Sequence, residues 1–269
     1  MASTRPTWAL VGAAVFVQIV YPLMPDALDT IVTVLSVVVF FLAALADVVR
    51  VHGPRGGLCL VGIAGGGGLV AEAVGLATGV PFGSYAYTGT LGPEVLGVPL
   101  VVPLAWAMMA WPALVVGRAL AARGVSVVVV GALALAAWDL FLDPQMVGAG
   151  HWVWFDPEPG LPLVPGIPLT NYLGWLLVSL LVVGALHAAL RPGHERGAGH
   201  HRGVGAEPVS APASALYLWV YASSVLAHLV FFGLPGSALV GGVLMGLVAV
   251  PFALNRWRAL RRQPSGQDG

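Results

Sequence analysis

The 269-residue sequence contains no lysine, a single cysteine, and charged side chains at only 9% of positions. A soluble globular domain carries roughly 25% charged residues, and 58% of this chain is hydrophobic, so water is not its main solvent. Twelve basic and twelve acidic groups cancel, which removes any electrostatic reason to expect a nucleic acid or another polyanion as partner. The lack of lysine fits a high-GC genome better than a special chemistry. Cys59, being alone, cannot form an intrachain disulfide and is expected to pack within an apolar helix. The seven histidines form no His-x-x-x-His or His-x-x-His-His pattern, which argues against di-iron oxygen chemistry. Neither a Walker loop nor a G-x-S-x-G elbow occurs. Gly66-Gly67-Gly68-Leu69-Val70-Ala71 matches a weak dinucleotide pattern, yet it sits inside an apolar span with no preceding strand. Close helix packing explains it better. No metal and no cofactor is therefore expected.

What the chain does have is long apolar runs, near 7–22, 28–49, 57–79, 97–117, 124–142, 169–190, 212–233 and 236–255. Most approach the ~20 residues that span a bilayer, which predicts an all-α polytopic membrane bundle of about eight helices. Arg5 precedes the first run, but Tyr21-Pro22-Leu23-Met24-Pro25 lacks a small-residue cleavage site, so a retained first helix is expected rather than a removed signal peptide. The twelve arginines fall at the N-terminus, in alternate connections and at the C-terminus, all on one side of the membrane. By the positive-inside rule that side is cytoplasmic, with both termini inside. The opposite connections hold Asp26, Asp29, Glu94, Asp156 and Glu158 and no arginine. The expected organisation is one membrane domain over 1–269, with a flexible cytoplasmic linker at 191–211 and a cytoplasmic tail at 256–269. The linker's His194, His200 and His201 lack the regular spacing and acidic or cysteine companions of a metal site, and read as a solvated tether.

The two longest outer connections, 80–96 and 143–168, are rich in aromatics, Gly and Pro, as in Pro81-Phe82-Gly83-Ser84-Tyr85-Ala86-Tyr87 and His151-Trp152-Val153-Trp154-Phe155. Interfacial aromatic belts would also look like this. There is an internal echo as well. Gly97-Val98-Pro99-Leu100 runs on through Leu104 to Trp106, and Gly166-Ile167-Pro168-Leu169 runs on through Leu173 to Trp175 with the same spacing. Each follows an outward-running segment with an acid in its outer half, Glu72 or Asp139, so segments 3–4 and 5–6 read as two copies of one hairpin unit.

Glu72 lies about seven residues, or roughly 10 Å, below the outer end of its helix. An ionised carboxylate there costs at least ~2.5–3.5 kcal/mol on insertion scales, so it must pair, hydrate within a cavity or hold its proton. Asp139 and Asp143 stand four apart, and a helix continuing to Pro144 would put them on one face. Carboxyl groups that close tend to share a proton. Taken alone, Asp143-Pro144 reads more simply as a helix ending at the water surface. His228, alone in the seventh segment, reads more readily as a bond to a neighbouring helix than as a catalytic group.

The run Glu72-x-x-Gly75-x-x-Thr78-Gly79-x-Pro81-Phe82-Gly83-x-Tyr85-x-Tyr87, followed by Leu91-Gly92, Val98-Pro99 and Pro103-x-Ala105-Trp106, resembles the carotenoid-biosynthesis membrane protein family. Asp139-x-x-x-Asp143-Pro144, Trp152-x-Trp154 and Gly166-x-Pro168-x-x-Asn171-x-x-Gly174-Trp175 resemble that family's second signature. The resemblance covers about 72–175, and it implies a cofactor-independent hydratase of the carotenoid 1,2-hydratase type, like family members acting on γ-carotene and bisanhydrobacterioruberin. Such an enzyme protonates the less substituted carbon of a terminal alkene, forms a tertiary cation and captures water as a tertiary alcohol. It needs a protonated acid, a group that positions water and accepts its proton, and aromatic faces that stabilise the cation. The resemblance then implies Asp139 as proton donor, Glu72 or Asp143 as its partner and base, and Asn171 as orienter. Phe82, Tyr85, Tyr87, Trp106, Trp152, Trp154 and Trp175 become the expected cavity walls.

A carotenoid is about as long as the ~30 Å hydrocarbon core, so its ends reach the interfaces where these acids and aromatics collect. The implied partners are a carotenoid, membrane lipid and other enzymes of that pathway, and the implied location is a bacterial plasma membrane. Other classes give different expectations. A transporter needs a through-going polar path, which the sparse polar side chains in the inner halves of segments 3 to 6 argue against. A carotenoid cyclase would use the same protonation without water, and a binding protein would need only the pocket.

Overall fold

The computed structural model describes residues 4–191 and 209–262. Most of the linker at 191–211, with its three histidines, and the end of the 256–269 tail lie outside the described residues. The chain folds as helices α1 Arg5–Val20, α2 Asp29–Cys59, α3 Gly66–Thr78, α4 Val101–Leu120, α5 Gly124–Ala136, α6 Asp139–Gly148, α7 Leu169–Ala189, α8 Ala211–Val230 and α9 Pro235–Arg261. It is an all-α polytopic membrane bundle. Large apolar side chains such as Phe16, Leu58, Val125, Leu181 and Leu247 are exposed on its flanks, as lipid rather than water requires.

Among the described residues, seven continuous helical stretches are long and apolar enough to cross a membrane, and one of them, Asp29–Thr78, has 50 residues. At 1.5 Å per residue that stretch is far too long for one crossing of a ~30 Å core. It is a hairpin. Gly53 leaves the helical region (φ 69°, ψ −173°) just before Pro54, and Gly57 returns to pack beside Val49 and Leu45. Thr33, near the start of α2, and Glu72, near the end of α3, line one cavity. The two arms thus correspond to the second and third apolar segments, the chain reversing at Gly53–Pro54 and the returning arm passing through a π-helical stretch at Leu60–Gly65 into α3.

Helix α4 is the hub. In its spanning window 72% of residues are buried, against 17% for the peripheral Arg5–Leu23 stretch. Gly117 of α4 lets the α5 backbone approach, because a Cβ there would lie 2.4 Å from the Val127 carbonyl oxygen. The fifth span differs from the expectation of a helix ending near 142: after a short turn at Ala137–Trp138 it continues as α6 through Pro144 to Gly148. Proline at 144 removes the hydrogen bond to the Leu140 carbonyl, and Ser237 Oγ donates to that oxygen instead, at 2.6 Å. Likewise α9 runs on to Arg261, so the first residues of the expected tail are helical.

The outer connections contain short strands where loops were expected: β1 Tyr85–Tyr87, β2 Glu94–Val95, β3 Val98–Pro99, β4 Trp152–Trp154, β5 Gly160–Leu161 and β6 Val164–Pro168. β2 pairs with β3 and β5 with β6, each hairpin leading into a helix, α4 or α7. β1 pairs antiparallel with β4 about the central pair Ala86↔Val153. Each half therefore reads helix, strand, hairpin, helix, in agreement with the duplicated unit. Glu72 stands fourteen residues before Ala86, and Asp139 fourteen before Val153. At the opposite end of the bundle the arginine-bearing helix ends gather: Arg118 lies 3.3 Å from His52 Nε2 and donates to the Leu190 carbonyl at 2.8 Å.

Candidate functional site

Beneath the β1–β4 ribbon lies a cavity of about 590 Å³, its mouth included. Every candidate named from the sequence lines it except Asp139: Glu72, Phe82, Tyr85, Tyr87, Trp106, Asp143, Trp152, Trp154, Asn171 and Trp175. Apart from Thr33, the rest of the wall is aliphatic, including Val101, Val102, Leu142 and Met146. Such residues carry no sequence signal that separates a cavity wall from ordinary core. Asp139 is fully buried and does not line the cavity itself; its neighbours Asp143 and Asn171 do.

Glu72 is 5% exposed and meets three donors. Tyr85 Oη donates to Oε2 at 2.5 Å, Tyr87 Oη to the same oxygen at 2.9 Å, and Trp106 Nε1 to Oε1 at 3.0 Å. The two tyrosines come from β1, whose pairing with β4 fixes their direction. Burial, followed by the charge of Glu72, pushes both phenols upward from their ordinary range, so they remain donors at any physiological pH. Gly75 makes this arrangement possible, because a Cβ there would lie 2.8 Å from Phe82 and 3.2 Å from Tyr85 Oη. Gly68 does the same for Trp106, whose ring a Cβ would meet at 2.5 Å. The glycine-rich run is thus a packing surface, as its setting implied.

Asp139 and Asp143, one turn apart on α6, face a single amide. Asn171 Nδ2 donates to Asp139 Oδ2 at 2.8 Å and also to Asp143 Oδ2. Asp139 Oδ1 is buried without a partner, and so is the indole N–H of Trp152, which lies beside Asp143. No arginine approaches either acidic group among the described residues; the one ion pair there joins Arg50 to Asp47 at the other end of the bundle. Asp143 is not a helix terminus at the water surface. It is 2% exposed and lies within α6.

The aromatic walls are ordered by the duplication. Trp106 and Trp175, equivalent in the two halves, stack on each other with centroids 3.9 Å apart and planes 13° from parallel. Tyr85 stacks on Trp154 at 5.6 Å, and Tyr87 meets Trp152 edge-on at the same distance. Trp154 Nε1 donates to the Phe82 carbonyl at 3.0 Å, tying the two loops together. His228 takes the packing role favoured for it, with Nε2 2.9 Å from the Phe141 carbonyl and Nδ1 2.8 Å from the Ser224 carbonyl.

Residues 28–248 match the family described as carotenoid biosynthesis protein. The chain belongs to the carotenoid biosynthesis protein family. Within the curated proteins it is similar to the bisanhydrobacterioruberin hydratase of Haloarcula japonica, with 31% identity over 185 residues, or 65% of this chain. The match spans 60% of the relative's length. No solved structure matches. The match to the family takes in the cavity, the ribbon and both acidic sites that face it, and leaves out all of α1 and the last part of α9.

Sequence reasoning missed one buried acid. Asp47 of α2 is fully buried. It accepts from Arg50 at 2.7 Å, Trp111 Nε1 at 2.8 Å and Ser210 Oγ at 2.6 Å. The signal available was an aspartate three residues before an arginine at a helix end, a spacing that places the two side chains on one face.

Proposed function

We propose that this chain is a carotenoid hydratase that adds water across the terminal double bond of an acyclic polyene end group. The observation that carries the reading is one apolar, aromatic-walled cavity faced by two carboxyl sites of opposite hydrogen-bond supply. Glu72, with three donors, is furnished as an anion. The Asp139–Asp143 pair, with one amide between two carboxyl groups, is furnished to hold a proton, since two anions so close repel.

In this mechanism Asp143 presents the proton to the less substituted alkene carbon, with Asp139 and Asn171 fixing its carboxyl group behind it. The π electrons form the new C–H bond and leave a tertiary cation. The faces of Trp152, Trp154, Trp175 and the tyrosines stabilise it through their quadrupoles. Water then adds to the cation while Glu72 takes its proton, giving a tertiary alcohol. The site resets when that proton returns through water to the aspartate pair. Atoms and charge balance without a cofactor. The substrate's chain is drawn from lipid, with the arginine-rich end of the bundle in the cytoplasm of a cell with this protein in its plasma membrane.

The test is expression in a lycopene-producing host followed by mass analysis of the pigments. A product heavier by one or two waters supports the reading. An isomeric cyclised product indicates a cyclase, and unaltered pigment that co-purifies with the protein indicates a binding protein.

A further inference from the structure

A second cavity, of about 810 Å³ with its mouth included, lies between α1, α2, α4, α6 and α8. Its wall is different in kind. Gln18, Tyr21, Ser36, Gln145, Ser223 and Ser224 bring hydroxyl and amide groups to it, and none of these six lines the first cavity. The two cavities share Thr33, Val37, Leu142 and Met146 as a common partition. Thr33 is 7% exposed, stands in this partition and lies within interaction range of the Tyr21 phenol. At the outer rim, Tyr21 lies within interaction range of Asp29, the first residue of α2.

From these features we infer that the second cavity is a water chamber, and that it feeds the first cavity past Thr33. The first cavity must admit an apolar chain from lipid, and its aromatic and aliphatic wall holds bulk water back. A reaction that consumes one water per turnover therefore needs a separate polar supply, and Asp143 and Glu72 line the cavity on the far side of the partition. A chamber with several hydroxyl and amide groups offers each water the two to four partners it requires. The supply role rests on the hydratase reading, whereas the chamber's hydration does not.

Hydroxyl-radical footprinting of the full chain in lipid nanodiscs tests the chamber directly, because radicals form where water resides and oxidise methionine to its sulfoxide. Met108 is 4% exposed and lines only the second cavity, while Met109 and Met245 are fully buried and line neither. Met108 is expected to oxidise at least fivefold faster than Met109 and Met245. Equal rates would overturn the proposal. Ser36→Leu fills the chamber without touching the first cavity, and the milder pair Ser36→Ala with Ser224→Ala serves if the leucine variant does not fold. Loss of the Met108 label is expected to bring about a tenfold fall in hydrated product, with polyene binding, followed by tryptophan quenching, unchanged. Full turnover after the label is lost would overturn the supply role. Failure of the wild type to hydrate any carotenoid would strike the hydratase reading, while the Met108 label would still decide whether the chamber holds water.

Discussion

Buried carboxyl groups occupy opposite ends of this bundle, Asp47 at one and Glu72, Asp139 and Asp143 at the other, and they are built on opposite terms. At the arginine end, Asp47 has a guanidinium, an indole N–H and a hydroxyl on it, and it lines neither of the two cavities described. Glu72, Asp139 and Asp143 have no arginine, and they reach a cavity either directly or through a neighbour. A carboxylate compensated on every side is a fastener, joining α2 to α4 and to the start of α8. A carboxyl group that leaves part of its valence to a cavity is available for chemistry. The lesson is that burial of an acid in a membrane does not by itself mark a reactive site; the identity of its partners decides.

Mutation should separate the two ends cleanly. Asp143→Asn removes the transferable proton and keeps the shape, and hydrated product is expected to fall by roughly a hundred- to ten-thousand-fold, with thermal unfolding of the detergent-extracted protein little changed. Glu72→Gln should behave in the same way. Near-normal product from both variants, measured by mass spectrometry, would abolish the contrast. Asp47→Ala should do the reverse. Removing one partner of a buried pair costs about 3–5 kcal/mol, and because Arg50 is 22% exposed the lower end is expected. The unfolding temperature should drop while activity per folded molecule stays within about twofold. If Asp47→Ala lost turnover without losing stability, the fastener role would be wrong.

Smaller effects sharpen the outer site. Tyr85→Phe deletes the 2.5 Å donor to Glu72 but leaves Tyr87 and Trp106 in place. A hydrogen bond to a charged group is worth about 1.5–3 kcal/mol, so turnover should fall about tenfold or more, and a KM-against-kcat analysis should put the loss mainly in kcat. His151 provides the weakest probe. Burial lowers its imidazole below the ordinary 6.5, and Thr90 Oγ1 lies 2.8 Å from its Nδ1. As pH falls the unfolded chain takes up this proton first. The stability it contributes is therefore complete above 6.5 and is lost as pH falls through the folded-state pKa. Unfolding temperature measured from pH 7 to 5 should decline more steeply for wild type than for His151→Asn, by a few °C at most.

The bundle was legible because charge is so scarce that each arginine marks a helix end, and because apolar runs report bilayer thickness directly. The boundary near 53 was visible as Gly-Pro, although the chain stays helical on both sides of a single non-helical residue. Much of the outer site was legible through family signatures, since Glu72, Asn171 and the tryptophans fall in spaced motifs. The β1–β4 ribbon was not. Its two strands have three residues each and pair across more than sixty positions, so no local pattern announces the contact. The reading of Asp143-Pro144, taken alone, as a helix end at the water surface failed for a related reason. Proline usually ends a helix, and the Ser237 hydroxyl that lets α6 pass through Pro144 lies almost a hundred residues away in sequence. Asp47 was overlooked because the neighbouring arginine made the segment read as an interface, whereas its partner Ser210 follows the long linker.

The ribbon and the stacked indoles share a geometric property. Strand β1 pairs with its counterpart β4, and Trp106 lies on its counterpart Trp175, so each half contributes the same element to both sides of a pseudo-twofold axis. That is the signature of an isologous contact, the kind that closes a symmetric dimer. A single ancestral unit carrying one such strand and one such tryptophan could complete neither feature alone, and would do so by meeting a second copy of itself. With both copies in one chain their acids are free to differ, a lone glutamate in one half and a pair of aspartates in the other, which a homodimer, bound to identical sequences, does not allow.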